Sequence, residues 1–339
     1  MPGERPPDLA LPVEELRTHV YPEIAGLRLD QALAFLLTWR TRSSIQRLIK
    51  EGRVLVRDGD SEVERVRPST RVRAGTVLVV RIPKRERPAV ALPCAELCIH
   101  HEDPLLLVVD KAPGMVVHPS AGRRGGTLIN LLHARYRNLD EPAKDIVPKL
   151  CHRLDRETSG LILVAKDEQA HSFIRKQFED HSVMKSYLAI VEGEMQLAEG
   201  WVDLPLGKAR NSPIRVKVEP RRDGLPALTH YEVLERRRGM TLVECFPRTG
   251  RQHQLRVHLA AIGHPVVGDK LYGPEERYFL DDVKGCLGES SLERLRLPRH
   301  ALHSHGLSFV HPGSGQRVRW SVPLADDMAA LIGRERCCH

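Results

Sequence analysis

Residues 151–167 read CHRLDRETSGLILVAKD. The second half is an apolar run, LILVAK at 161–166, entered through Thr158, Ser159 and Gly160. A short continuous apolar run behind a turn signal predicts a strand covered on both faces. The first half is charged, with Asp155 between Arg153 and Arg156. A carboxylate at the mouth of a buried strand, with guanidinium groups beside it, stays ionised even when partly desolvated. That is the state a nucleophilic or basic carboxylate needs. A loop aspartate capping the turn through backbone amides leaves the same pattern, and on these residues alone that plainer reading is favoured.

Around this segment the periodicity is mixed. LLLVVD (105–110), SYLAIVEG (186–193), THYEVLE (229–235) and TLVECF (241–246) predict strands, the last two forming a hairpin across RRRGM. SFV (308–310) and RVRWSV (317–322) form a closing hairpin. TLINLLHARY (127–136), a segment from Glu168 to Phe178 with Phe173, Ile174 and Phe178 inward, and residues 252–262 predict helices. Strands and helices do not alternate strictly, so the expectation is an α+β fold with a mixed, largely antiparallel central sheet.

A second charged segment, FPRTGRQHQLRVHLAAIGHPVVGDKLYG (246–273), crowds Arg248, Arg251, Arg256, His253 and His258 at the start of a helix. The helix N-terminus suits a phosphate or a partner carboxylate. His253 and His258 are five residues apart, on diverging helix faces, which argues against a shared metal. Cys94 and Cys98 have a loose ligand spacing and no Cys-x-x-Cys pair exists, so no metal is expected. P-loop, dinucleotide-binding and GxSxG signatures are missing, and with them any signal for nucleotide hydrolysis, hydride transfer or serine hydrolase chemistry.

The chain has 339 residues, a net charge of +8 and 41% hydrophobic residues, enough for a real core. No apolar run approaches the ~18 residues of a membrane span, and the acidic N-terminus lacks a leader pattern. Seven scattered cysteines fit reduced thiols, so a cytoplasmic location is expected. Residues 28–87 hold 15 Lys/Arg against 7 Asp/Glu, which accounts for the whole positive excess. This predicts a small polyanion-binding module beside a neutral body. Residues 1–25 read as a mobile lead-in, 26–83 as the module, 84–95 as a Pro/Arg linker, 96–327 as the catalytic domain and 328–339 as a tail. In the module, Leu29, Ala32, Leu33, Leu36 and Leu37 share one helix face. A second helix, capped by Ser43 or Ser44 and closed by Gly52, buries Ile45, Leu48 and Ile49. Its other stripe carries Arg42, Gln46 and Lys50 with Arg47 beside them, a candidate RNA-binding face. Two short helices and a few strands with a basic outward helix resemble the alpha-L RNA-binding module of ribosomal proteins. With 15 aromatic residues in the chain and no aromatic-basic interleaving, binding through base-stacking sheets is not expected.

HRLDRETSG, KSYLAIVEG (185–193), RTGRQHQLRVH and GHPVVGDKLYG together resemble the successive motifs of the RluA family of pseudouridine synthases. The resemblance runs from about Leu105 to Pro323, and with the basic module it is most similar to the D-type large-subunit ribosomal RNA enzymes. It implies the pseudouridine-synthase fold and an isomerase that detaches uracil from ribose, turns it and rejoins it through carbon 5 without a cofactor. By motif, Asp155 is the essential carboxylate. Tyr187 is placed to pack on the uracil and act as base at carbon 5, and Arg251 is the ion-pair partner of Asp155. The turn Lys111-Ala112-Pro113-Gly114 has Ala and Pro exchanged relative to the family, and Ser186 replaces a common Thr. His118, Asn130 and Asp269 are read as a turn residue, a helix-face residue and a loop tie.

Arg153, Arg156 and Arg248 join the module residues as candidate RNA contacts, and a monomer is expected. Large-subunit ribosomal RNA is the expected substrate, free or in a pre-ribosomal particle, with transfer RNA as the alternative. Two other readings compete: an RNA-binding assembly factor that has lost catalysis, and a nuclease using His253 or His258 as general acid.

Overall fold

The computed structural model describes residues 15–37, 42–58, 61–62, 66–82, 97–119, 126–138, 145–237 and 239–334. The chain divides into two units, one spanning Ala10–Ala89 and a body from Val90 onward.

In the first unit the four-residue spacing of Leu29, Leu33 and Leu37 builds α1 (Leu29–Leu36) with a fully buried stripe. α2 (Arg42–Lys50) buries Ile45, Leu48 and Ile49 as its pattern predicts. It starts at Arg42, so Ser43 and Ser44 lie inside its first turn rather than capping it. β1 (Glu15–His19), β2 (Val54–Asp58), β3 (Ser61–Glu62) and β4 (Val77–Arg81) form an antiparallel sheet in the order β1-β4-β2-β3. The mobile lead-in expected over 1–25 is therefore corrected for its second half. Leu16 pairs with Val80 and Thr18 with Leu78, and Val20 and Ile24 join the core. The period-two alternation of Leu16, Thr18 and Val20 overrides the acidic, Pro-rich composition around it. Residues 1–14 and the linker at 84–95 lie outside the described residues.

The body's strands are β5 (Cys98–Glu102), β6 (Leu106–Lys111), β7 (Lys149–Leu150), β8 (Ser159–Ala165), β9 (Met184–Glu192) and β10 (Glu199–Asp203). After them come β11 (Leu206–Lys208), β12 (Val218–Pro220), β13 (Leu228–Arg237), β14 (Met240–Pro247), β15 (Leu302–Val310) and β16 (Arg317–Ser321). The main sheet runs β10-β13-β14-β9-β15-β8-β6-β5, with β16 on β15 and β7 on β8. Among the described residues its pairings are antiparallel except β15 with β8. The fold is α+β with a mixed, largely antiparallel sheet, as the pattern predicts. β11 and β12 pair separately.

β8 is buried at every position, which is why it reads as one apolar run. α3 (Leu128–Tyr136), with Leu128 and Leu132 fully buried, packs against β6 and β8. α4 (Glu168–Glu179) covers the cluster containing Leu163 and Phe309. Its inward stripe is Ala170, Ile174 and Gln177, so Phe173 is exposed, contrary to the helix-face expectation. Gln177 brackets Val310 with two main-chain hydrogen bonds, at 2.8 and 2.9 Å. α5 (Gln254–Ala261), α6 (Arg277–Lys284), α7 (Glu289–Leu295) and α8 (Asp326–Arg334) complete the body. α8 corrects the expected tail at 328–339. Met328 and Ile332, one helical turn apart, are buried against Ile190 and Val267; residues 335–339 lie outside the described residues. No helix among the described residues is long and apolar enough to cross a membrane.

Candidate active site

Loop 152–158 connects β7 to β8 and is tied down from several sides. The His152 ring accepts from the Leu163 amide at 3.0 Å, and Thr158 Oγ1 meets His300 Nε2 at 2.8 Å. Lys111 Nζ donates to the Arg156 carbonyl at 3.1 Å and to the carbonyls of Ala112 and Met115. Burial lowers that amine to about 7. Gly160 closes the turn at φ +102°, where a Cβ would collide with the Ser304 backbone. The tied loop presents Asp155 to a cavity of about 530 Å³.

Asp155 Oδ2 accepts from Arg256 Nη1 at 2.9 Å. The same guanidinium gives its Nε and Nη2 to Asp269, at 2.6 and 2.9 Å. Burial raises the Asp155 carboxyl, but the charge and hydrogen bond of Arg256, with the nearby His253 and His300, together outweigh it and hold the group below the usual aspartate range. Asp269 is fully buried, accepts the Leu271 and Tyr272 amides as well, and is held far lower by the same balance. An acceptor-donor-acceptor chain thus fixes an ionised carboxylate at the cavity wall.

This arrangement corrects the sequence assignment of Arg251. Its Nε donates to the Pro226 carbonyl at 3.0 Å, in a turn where Gln254 accepts from both its amide and the Thr249 hydroxyl. The turn aims Arg251 toward the segment before β13, whereas Arg256, on α5, projects under Asp155. Arg251 still lines the cavity.

Tyr187, on β9, lines it too. Burial raises its phenol to about 12, partly opposed by its interaction with the Ser304 hydroxyl, so the ring is neutral at pH 7. Lys185 and Arg153 face the same cavity, and neither makes an ion pair among the described residues. Burial lowers the Lys185 amine.

Of the other candidate RNA contacts, Arg156 pairs with Glu157 and Asp282, at 3.2 and 3.3 Å, which makes it a tie between loop and α6. Arg248 is exposed, its guanidinium 5.8 Å from the Trp201 ring centre. In the first unit, Asp30 is sealed from solvent and accepts from Arg28, Arg42 and Gln46. Burial raises its carboxyl, but these bonds outweigh burial and bring it to about 2. Gln46 is therefore turned toward Asp30, a correction to the basic face; Arg42 is tied to Asp30 yet stays exposed, as do Arg47 and Lys50.

Asn130 caps α3 with Thr127, His118 is exposed, and Asp269 is a loop tie as read, with the pairing to Arg256 added. His258 is buried between Thr229 and the Leu204 carbonyl, away from the cavity, which removes it as a general acid. Among the described residues one trio, Glu199, His230 and Glu232, has possible metal-ligand atoms within 4.8 Å of one another. None of the three lines the Asp155 cavity.

A buried-strand loop aspartate, its arginine and a facing tyrosine on a mixed sheet define a class that the comparisons identify. A family profile described as RNA pseudouridylate synthase matches residues 105–261, and the chain belongs to the RluA family of RNA pseudouridine synthases. Ribosomal large subunit pseudouridine synthase D of Nitrosomonas europaea is 40% identical over 318 residues, covering 91% of this chain and 84% of that protein. An RNA pseudouridine synthase of Bacillus subtilis is 37% identical over 305 residues, covering 90% and 93%. Human RNA pseudouridylate synthase domain containing 4 superposes with a TM-score of 0.55 at 28% identity, over 70% of this chain and 92% of that one.

Proposed function

We propose that the protein isomerises specific uridines of large-subunit ribosomal RNA, acting as a cytoplasmic monomer, with Asp155 as the essential carboxylate and the N-terminal unit as an RNA-holding module. The observation that carries the catalytic assignment is the Asp155–Arg256–Asp269 chain at the wall of the cavity. The large-subunit substrate is supported by what the Nitrosomonas relative is named for.

The reaction balances within the nucleotide. The N1–C1′ bond breaks, a C5–C1′ bond forms, and the proton lost from C5 is matched by one gained at N1. No oxidant, reductant or hydrolytic water enters the stoichiometry. A fixed, ionised Asp155 serves at the ribose, either trapping a cationic sugar carbon or removing a sugar proton. Tyr187, a neutral phenol, packs on the uracil. Its raised pKa leaves little phenolate to act as base at carbon 5. The uridine has to leave its stack, which costs a few kcal/mol and favours loops over duplex. Lys185, Arg153 and Arg251 meet the flanking phosphates at the cavity.

The test is to map pseudouridines in large-subunit RNA from cells with and without the protein, and to incubate purified protein with that RNA. Asp155→Asn should abolish product while leaving RNA affinity nearly intact; full activity in that variant would sink the assignment. For the module, Arg47→Ala and Lys50→Ala should each lower the salt slope of binding by about 1. An unchanged slope would remove its RNA role.

A further inference from the structure

We propose that His253 is a further catalytic residue, its Nε2–H donating a hydrogen bond to the 2-oxo oxygen of the uracil as the N1–C1′ bond breaks; this rests on the reading above. His253 stands at the N-terminus of α5 with φ 55° and ψ 17°, the left-handed region, yet its side chain caps nothing. A non-glycine residue held there is strained, and such positions cluster at functional sites. The strained backbone turns the imidazole into the cavity, where Nε2 lies 3.9 Å from Asp155 Oδ2.

The tautomer follows from the neighbours. Tyr272 Oη accepts the Val218 amide at 3.0 Å and contacts His253 Nδ1 at 2.8 Å. Among the described residues Nδ1 is the one acceptor within reach of the phenolic proton, and a buried hydroxyl needs one. Tyr272 therefore donates to Nδ1, and the imidazole proton sits on Nε2, facing the cavity. Burial, only partly offset by the Asp155 charge, brings the ring to about 4, so it is neutral at pH 7 and a donor through Nε2 alone. When N1–C1′ breaks with the electron pair going to uracil, negative charge spreads over N1 and its two oxo oxygens. The 2-oxo group is bonded beside N1 and so lies next to the ribose carbon that Asp155 faces. A donor fixed beside that carboxylate meets this oxygen, and it is present before the charge develops.

The experiment uses full-length protein and a short RNA containing a mapped target uridine, or 2-thiouridine in its place. His253→Asn keeps a residue that tolerates the left-handed backbone but removes the reach. Its single-turnover rate should fall about 100-fold with RNA affinity unchanged. The 2-thio substitution should slow the wild type and add little in the variant. Tyr272→Phe, which frees the tautomer, should lower the maximal rate about tenfold at unchanged KM. Wild-type rates in His253→Asn, or fully additive penalties from the 2-thio group, would overturn the proposal. If Asp155→Asn stays active, the underlying reading fails; if it is dead while His253→Asn is unimpaired, only this inference fails.

Discussion

Arg256 is one cation shared by two carboxylates, and replacing it with Gln separates its role from that of Arg251. The change removes three charge-assisted hydrogen bonds of 2.6–2.9 Å. It leaves Asp269, fully buried, with the Leu271 and Tyr272 amides alone. Stripping one partner from a buried ion pair costs about 3–5 kcal/mol. At about 2–4 °C per kcal/mol for a domain of this size, the midpoint of thermal unfolding should fall by about 6–20 °C. Arg251→Gln loses one side-chain bond to a carbonyl, worth about 1 kcal/mol, and the midpoint should fall by about 2–4 °C.

The pH dependence has a definite sign. Asp155 and Asp269 have folded pKa values below their unfolded ones, so their contribution is present near neutrality and lost as pH falls through the folded values. The stability gap between wild type and Arg256→Gln should therefore narrow in acid. The acid limb of the single-turnover rate, set in the wild type below the usual aspartate range, should move upward in the variant because burial then loses its largest opponent. Calorimetry at several pH values and the rate profile read both effects. An Arg256→Gln midpoint within 2 °C of wild type, or an acid limb that stays put, would refute the reasoning, as would an equal loss in Arg251→Gln.

Met328→Ala should cost about 2–5 kcal/mol in denaturant unfolding, because Met328 is fully buried in α8; a dispensable tail would show no change. Asp30→Ala should destabilise the N-terminal unit by about 2–3 kcal/mol at pH 7. The deficit should shrink as pH falls toward about 2, where wild-type Asp30 protonates; urea titrations across pH read it. Native protein treated with iodoacetamide should be modified at exposed Cys98 and Cys286, while Cys151 and Cys245, buried and pushed up to about 12, should react only on unfolding.

What was legible in the sequence was whatever is decided locally. β8 is covered on both faces and reads as an apolar run; Asp155 precedes it by a turn; α2 buries the stripe its spacing gives. What escaped depends on partners distant in the chain. The first half of β15 reads LHSHGL, with no apolar run, because Ser304 bonds the Leu161 carbonyl and His303 bonds Ser159 across the sheet. α8 hides two buried side chains among acidic neighbours. Three arginines crowd the α5 segment, and spacing cannot rank them for a carboxylate 101 residues away. The usable signal was Asp269 in the same motif, since a buried carboxylate requires a buried cation.

The charge balance around Asp155 bears on how a polyanion approaches this site. Asp155, Arg256 and the buried Asp269 together carry a net negative charge, which by itself repels phosphate. Outside residues 28–87 the chain carries equal numbers of basic and acidic side chains, so attraction has to be arranged locally. Lys185, Arg153 and Arg251 face the same cavity without an ion pair among the described residues. On the proposed reading these cations hold the flanking phosphates while the carboxylate receives the uncharged nucleoside between them. Adding a negative charge among the cations, as in Lys185→Glu, should then weaken RNA binding more strongly at low salt than at high salt, since attraction to phosphates across solvent is screened within about 10 Å at 0.1 M. Asp155→Asn, which removes a negative charge from the wall, should bind RNA at least as tightly as wild type while forming no product. Filter binding across a salt series measures both, and an Asp155→Asn protein that binds more weakly than wild type would show that the carboxylate attracts the RNA rather than being sheltered from its phosphates.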